Sequence, residues 1–362
     1  MKSSPISHSH LELNAKMADF GGWLMPIEYP DSGVIQEYNC VRNNVGLFDV
    51  SHLGKISVIG KGATEFLNTQ LTNNLQSIED HQAQYTLICN ESGGVIDDLI
   101  AYRNSASDYF LIPNASNTAS VFKSLNSNAP DEIKISNLHE EFAVFAVQGP
   151  KSIELLKSIG IDPSLDYMEF VNQKVADKSV ILCRTGYTGE LGFEIIPKWE
   201  DASVVWQRLF QVVKSFGGGA CGLGARDILR TEMGYPLHGH ELSLEISPIQ
   251  ALASWAVDLT KDSFIGKAAL QDQKSNGTKL KLRAILATDK AIPRKDMQVK
   301  DQYGNQIGQV TSGTFSPALK KGIGLALINS QVTKGDKVVI DIRGRDSIFE
   351  VVAAPFLPSK VK

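Results

Sequence analysis

Twice in this chain an apolar run ends in a cysteine, breaks at glycines and resumes as a run that carries acid. Val180-Ile181-Leu182-Cys183 leads into Arg184-Thr185-Gly186-Tyr187-Thr188-Gly189-Glu190-Leu191-Gly192-Phe193-Glu194. Tyr85-Thr86-Leu87-Ile88-Cys89 leads into Gly93-Gly94-Val95-Ile96-Asp97-Asp98-Leu99. Glycine accepts positive φ and close backbone approach, so each break predicts a tight turn between two strands. An acid pair among Val95, Ile96, Leu99 and Ile100 does not read as an ordinary solvent face. Together the two segments point to a small-molecule site held by carboxylates and aromatics.

The surroundings repeat too. Residues 55–60 read as a strand, followed by a helix from Ala63 with Phe66, Leu67 and Leu71 on one face. Residues 142–147 read as a second strand, and a helix presenting Ile153, Leu156 and Ile159 follows, with Pro150 suited to its first position. A further helix carries Val205, Leu209, Val212 and Phe216 and ends at Gly217-Gly218-Gly219. The pattern predicts an α+β body over 1–273, a duplication of ferredoxin-like βαβ units with mixed or antiparallel sheets. In it Asp98 and Glu194 occupy roughly equivalent strands and face a shared cleft from opposite sides. Adjacent strand residues point to opposite faces, so Asp97 is expected to face outward. Past a polar, glycine-containing stretch at 272–278 the pattern changes to short strands, such as 279–286 and 338–342, with a turn at Tyr303-Gly304-Asn305. Residues 274–362 therefore read as a small antiparallel β-barrel or sandwich.

Composition narrows the function classes. With 43% hydrophobic and 21% charged residues, the 362-residue chain has the make-up of an ordinary globular protein of two or three domains. No apolar run approaches the roughly 18 residues a membrane helix needs, and the first residues carry no secretory or transit pattern, so a cytoplasmic protein is expected. Cys40, Cys89, Cys183 and Cys221 lie far apart and are expected to be buried thiols. Residues 274–362 hold 16 basic against 7 acidic side chains although the whole chain is net −4, which suggests an acidic partner or ligand. Nucleic acid is disfavoured, because no dense basic run interleaves with aromatics. The chain has no Gly-x-Ser-x-Gly, no Gly-x-Gly-x-x-Gly opening a helix and no Walker-type loop. His8/His10 and His238/His240 lack supporting cysteines or acids, so no metal is expected.

Several long motifs, in order, carry a resemblance. They are Phe20-Gly21-Gly22-Trp23-Leu24-Met25-Pro26, Gly46-Leu47-Phe48-Asp49-Val50-Ser51-His52-Leu53-Gly54 and the two acid-bearing segments. Gly222-Leu223-Gly224-Ala225-Arg226-Asp227, Asp262-Ser263-Phe264-Ile265-Gly266-Lys267 and Val310-Thr311-Ser312-Gly313-Thr314-Phe315-Ser316-Pro317 complete the set. Over nearly its whole length the chain resembles the aminomethyltransferase, or T-protein, family of the glycine cleavage system.

The resemblance implies a tetrahydrofolate enzyme with a C-terminal barrel. It takes the methylene from the S-aminomethyl-dihydrolipoyl arm of the carrier H-protein, releases ammonia and gives 5,10-methylenetetrahydrofolate. By the same resemblance Asp98 is the catalytic acid. Glu194 accepts from the pterin's donor edge in charge-assisted bonds, and Tyr85, Tyr102 and Tyr187 flank the rings. Arg226, Asn114 and Tyr235 complete the folate-lining set, while Arg184 either pairs with an acid or touches ligand. Departures from the family pattern are Leu53 in place of a common methionine, Met168 beside Tyr167, and a tail, 355–361, without tyrosine or arginine. The alternative is a folate-binding iron–sulfur assembly factor of the same fold, which bears a Lys-Gly-Cys-x-x-Gly-Gln-type motif absent from residues 184–190. Flavin-linked dehydrogenases that share the fold need a further domain.

Overall fold

The order strand, helix, three strands, helix, strand occurs twice in the computed structural model, which describes residues 1–361. The first unit consists of Ile56–Ile59, helix Ala63–Gln70, strands Gln82–Cys89, Val95–Ser105 and Asp108–Pro113, helix Thr118–Asn128 and strand Lys134–Asn137. The second consists of Phe145–Gln148, helix Ser152–Ser158, strands Phe170–Val175, Lys178–Cys183 and Gly192–Pro197, helix Ala202–Ser215 and strand Gly219–Cys221. Their strands lie in the same spatial order, with Gly46–Asp49 inserted before the last strand of the second sheet. Each unit is a ferredoxin-like βαββαβ with one more strand at the sheet edge.

The strand equivalence differs from the expectation by one position. Asp98 lies on Val95–Ser105, the third strand of its unit, whose counterpart is Lys178–Cys183. Glu194 lies on the fourth, Gly192–Pro197, which matches Asp108–Pro113. The cysteine–glycine–acid order repeats in composition only. Strand Phe170–Val175, with Asn172, Gln173 and Lys174, lacks the apolar run that marks its neighbours, and without it the count slips.

The two sheets pack face to face. Tyr102, Phe110 and Ile112 of the first meet Phe48, Ala146, Phe170, Cys183 and Ile196 of the second in one apolar layer. The outer faces carry the helices, with Leu99 and Ala101 against Leu67, Val121 and Leu125, and Phe193 and Ile195 against Leu155, Val205 and Leu209. Each such side chain contributes about 1.5–3 kcal/mol on burial. Period-two alternation then puts Asp98 and Glu194 on the inner faces, toward each other's sheet. It also corrects the expectation for Asp97, which does point away from Asp98 but is 0% exposed. The face it occupies is covered by the Asn114–Asn117 turn and the helix that follows.

The two glycine breaks are unlike. Asn90 N–H donates to Gly94 O at 2.8 Å and Gly93 has φ +83°, which is a tight hairpin as expected. Residues 184–191 instead form a longer loop, pinned by Gln148, whose Nε2 donates to Thr185 O at 3.1 Å and whose Oε1 accepts from Thr188 at 2.8 Å. A Cβ at Gly186 or Gly192 would come within 2.2 or 2.4 Å of that Gln148 side chain, so close approach is what these glycines allow. Pro150 lies in the turn before its helix, which begins at Ser152.

Strands Leu280–Ala287, Lys321–Asn329, Gln306–Ser316, Gln298–Lys300, Lys337–Ile342 and Arg345–Val352 close into an antiparallel barrel around Ile285, Val310, Ile340 and Phe349. The preceding helix Lys267–Asn276 runs across position 273, and its Leu270 packs with body residues. Arg230 to Ser312 (2.7 Å), Ser316 to Glu232 (2.5 Å) and Lys295 to Gly239 O (2.8 Å) tie barrel to body. Lys290, Arg294, Lys295 and Lys320 are exposed. All four cysteines are buried. Among the described residues no helix is long and apolar enough to cross a membrane.

Candidate active site between the two sheets

The first sheet presents Asp98 by register. Leu87 is its cross-strand partner, so Tyr85 is its diagonal neighbour on the same face, and the Tyr85 hydroxyl donates to Asp98 Oδ2 at 3.0 Å. Leu99 pairs with Pro113, which brings Asn114 alongside, and Asn114 Nδ2 lies 3.0 Å from Asp98 Oδ1. Burial pushes the Asp98 carboxyl above its ordinary value, while Tyr85, His238 and Asn114 pull against it. Burial also pushes the Tyr85 phenol well up, and the nearby Asp98 charge adds to it. Tyr85 stacks on Trp255, with centroids 5.1 Å apart and an interplanar angle of 26°, while Trp255 remains 69% exposed.

The second sheet presents Glu194, 8% exposed, whose Oε2 accepts from Thr185 Oγ1 at 2.5 Å. Among the described residues nothing donates to its Oε1. Helix Leu223–Glu232 brings in Arg226, whose guanidinium lies 4.5 Å from the centroid of the Tyr187 ring. That guanidinium forms no ion pair among the described residues; burial lowers its pKa, and Tyr187 and Glu194 oppose the shift. Tyr187 donates its hydroxyl to Pro236 O and lies 5.6 Å from Tyr235, centroid to centroid. Burial raises the phenol pKa of Tyr187 and of Tyr235.

Of the residues expected at the site, Asp98, Tyr85, Asn114, Tyr187, Glu194, Arg226 and Tyr235 form one chain of neighbours spanning the gap between the sheets. Tyr102 stands behind it. Its ring is 2% exposed, packed edge-on against Phe170, and its hydroxyl lies 3.4 Å from Thr185 Oγ1. Arg184 bonds carbonyls rather than an acid, those of Leu165 at 2.6 Å and Val361 at 3.4 Å. The tail without tyrosine or arginine still lies on the loop, Lys360 N–H donating to Gly189 O at 2.8 Å and Lys360 Nζ lying 3.3 Å from Glu190. His238 bonds Val95 O and His240 bonds Ser312.

Two neighbours were not singled out from the sequence: Thr185 orients Glu194 and Trp255 backs Tyr85. Tyr167, noted beside Met168, lies close enough for the Glu194 charge to add to the burial that raises its pKa to about 12. Trp255 carries no local signal, being one aromatic in an apolar stretch, Ala251-Leu252-Ala253-Ser254-Trp255-Ala256-Val257, with no periodicity of its own. Thr185 and Tyr167 flank residues already marked. Open concavities lie elsewhere, a groove of about 630 Å³ on the barrel and one of about 310 Å³ beside Arg42 and Lys360. Neither collects the acids and rings found here, so the chemistry of the side chains marks the site better than surface shape does.

This arrangement suits a planar ligand with a donor edge and an anionic or carbonyl group. Among the described residues one acid has a free acceptor oxygen and one guanidinium is unpaired; three phenols offer faces, and a second acid is held where burial favours its protonated form. The GCVT N-terminal domain family matches residues 6–261, and the glycine cleavage T-protein C-terminal barrel domain matches 280–357. A protein of Parafrankia sp. named aminomethyltransferase is 52% identical over 357 residues, covering 99% of this chain and 98% of that one. One of the same name from Mycobacterium tuberculosis is 50% identical over 361 residues, covering 99% and 97%. The crystal structure of glycine cleavage system aminomethyltransferase T from Bartonella henselae superposes with a TM-score of 0.93 at 31% identity, covering 99% of both chains.

Proposed function

Since the chain belongs to the glycine cleavage T-protein family and is an aminomethyltransferase, we propose that the residues between its sheets form the tetrahydrofolate site and that Asp98 handles the proton of the reaction. The carrier is the lipoylated H-protein. Its S-aminomethyl group gives up the methylene, the amine leaves as ammonia, and the dihydrolipoyl thiol is restored. Bound tetrahydrofolate supplies the two nitrogens that receive the methylene. The iron–sulfur assembly alternative is not favoured, because relatives that share half of the residues over the full length are named aminomethyltransferase. The same reading takes 1–273 as the folate-binding body and 274–362 as the barrel domain, and the protein as cytoplasmic.

The residues present fit that ligand. Glu194, fixed by Thr185 through Oε2, accepts from the pterin's paired N–H groups, and charge makes those bonds short and strong. Arg226, with no ion-pair partner of its own, meets a carbonyl or carboxylate oxygen. Tyr85, Tyr187 and Tyr235 provide ring faces, Tyr102 backs them, and Asn114 holds Asp98. Asp98 accepts the proton that the attacking nitrogen sheds, and burial raises its affinity for that proton.

The observation that carries this reading is the Arg226 guanidinium, without an ion-pair partner among the described residues, 4.5 Å from the Tyr187 ring and close enough for the Glu194 charge to act on it. Ammonia release from aminomethylated carrier, followed against tetrahydrofolate concentration, tests it. Arg226→Ala loses a charged hydrogen bond worth about 1.5–3 kcal/mol, so half-saturation by folate rises roughly tenfold or more while the carrier KM stays put. Unchanged folate half-saturation would move the ligand out of this cluster.

A further inference from the structure

Asp97 has no part in the reading above, yet it is buried beside Asp98 and fully bonded. Three N–H groups converge on it. Asn114 N donates to Oδ2 at 2.8 Å, Asn114 Nδ2 to Oδ1 at 2.9 Å and Asn117 Nδ2 to Oδ1 at 2.7 Å. The same Asn114 nitrogen lies 3.0 Å from Asp98 Oδ1 and 3.0 Å from Asp98 O. All of these neighbours are acceptors, so the amide must turn its nitrogen toward the acid pair. Two side chains that alternation sends to opposite faces of one strand are thus joined through a single amide at the strand's end.

We propose that Asp97 is a positioning residue for Asp98: it clamps Asn114 by backbone and side chain, which aims that amide at Asp98 and so sets how readily Asp98 takes a proton. The inference rests on the reading of Asp98 as the proton acceptor. Turned this way, Asn114 also leaves its Oδ1 without a donor among the described residues, available to a ligand N–H. Tyr85 on the neighbouring strand, Asn114 after the next and His238 beyond helix Leu223–Glu232 act on Asp98, whose own charge acts on Asp97 beside it and on Tyr187 of the glycine loop. Burial and the Asp98 charge raise the Asp97 pKa as well, and the three donors oppose that shift. Two carboxyls so coupled do not ionise independently.

The test is the pH profile of single-turnover methylene transfer in the full-length protein, with carrier-bound substrate and saturating tetrahydrofolate. Wild type, Asp97→Asn, Asn114→Ala, the double variant of these two and Asp98→Asn are compared. In Asp97→Asn a single amide oxygen faces N–H groups that used both carboxylate oxygens, so the clamp on Asn114 fails, Asp98 loses its aimed donor and the acid limb moves up by about one pH unit. In Asn114→Ala the Asp98 carboxylate loses the same donor, so the limb moves up as well, and the double variant moves no further than Asn114→Ala alone. A shared, non-additive shift of the limb is a signature that a merely structural role does not produce. An acid limb unmoved in both variants overturns the proposal, whatever happens to the plateau or the melting temperature. If Asp97→Asn does not fold, Asn114→Ala decides, and a limb that is unmoved or displaced downward overturns it. Failure of the underlying reading looks different, because Asp98→Asn would then keep both its rate and its acid limb.

Discussion

The two halves of the body are one topology used twice, yet the acids they turn toward each other live in different surroundings. Asp98 sits in the first unit beside a second carboxyl, held by a phenol and an amide, and burial raises its pKa. Glu194 sits in the second unit beside a threonine and within reach of an arginine, with no acid next to it in sequence. A carboxyl that burial pushes toward its protonated form is suited to taking and giving a proton. One fixed by a hydroxyl through one oxygen, with the other oxygen free among the described residues, is suited to accepting hydrogen bonds from a ligand. Fold duplication supplies two inward-facing strands, and the side chains that neighbouring strands and loops bring to each acid decide the chemistry.

That division can be broken by substitution. The largest effect belongs to Asp98→Asn, which keeps size and shape but cannot take the proton. Methylene transfer falls by about 10²-fold or more while the calorimetric affinity for tetrahydrofolate stays within a few fold. Its stability carries a sign as well. An acid whose folded pKa is raised binds protons more tightly folded than unfolded, so its burial costs stability at neutral pH and that cost shrinks as pH falls through the folded pKa. Asp98→Asn therefore melts no lower than wild type at pH 7, and any advantage shrinks toward pH 4. A loss of several degrees at pH 7 would mean that ionised Asp98 holds the sheet together.

Next in size is Glu194→Ala, which leaves the pterin's donors without an acceptor. The cost of about 1–3 kcal/mol or more lowers folate affinity roughly tenfold. Titration calorimetry reads it directly, and unchanged affinity would mean that this carboxylate faces something else. Smallest is Thr185→Val, which removes the hydroxyl that fixes Glu194 Oε2 but leaves the acid in place. A net loss of about 1 kcal/mol corresponds to roughly fivefold in affinity, with no change in transfer rate at saturation. An equal loss of rate would tie Thr185 to the proton-handling half and blur the comparison.

Much of this was legible in the residues. The helices at Ala63 and Ala202 follow from apolar spacing and terminal glycines, and the barrel strands from clean alternation. The inward direction of Asp98 and Glu194 follows from period two once the neighbouring apolar residues are assigned. What failed was anything that depends on the partner layer. Asp97 was expected to face outward, and it does point away from Asp98, but alternation specifies a direction and not what lies there, and here a turn and a helix cover it. Strand equivalence slipped because Phe170–Val175 is held by backbone pairing to Lys178–Cys183 and by its place at the sheet edge, not by an apolar run. The glycine loop read as a tight turn because three glycines suggest positive φ, whereas two of them serve the approach of Gln148, which lies 38 residues from Gly186 in the chain. Trp255 meets Tyr85 across 170 residues, and no local pattern anticipates that pairing.

The division of labour between the two acids is tested most directly by single-turnover transfer from aminomethylated carrier, measured for Asp98→Asn and Glu194→Ala over a full range of tetrahydrofolate concentrations. The account predicts that Glu194→Ala climbs to a plateau near the wild-type rate at about tenfold more folate, while Asp98→Asn saturates at the ordinary concentration and stays about 10²-fold slow. A Glu194→Ala plateau as low as that of Asp98→Asn, or an Asp98→Asn rate rescued by folate, would contradict it.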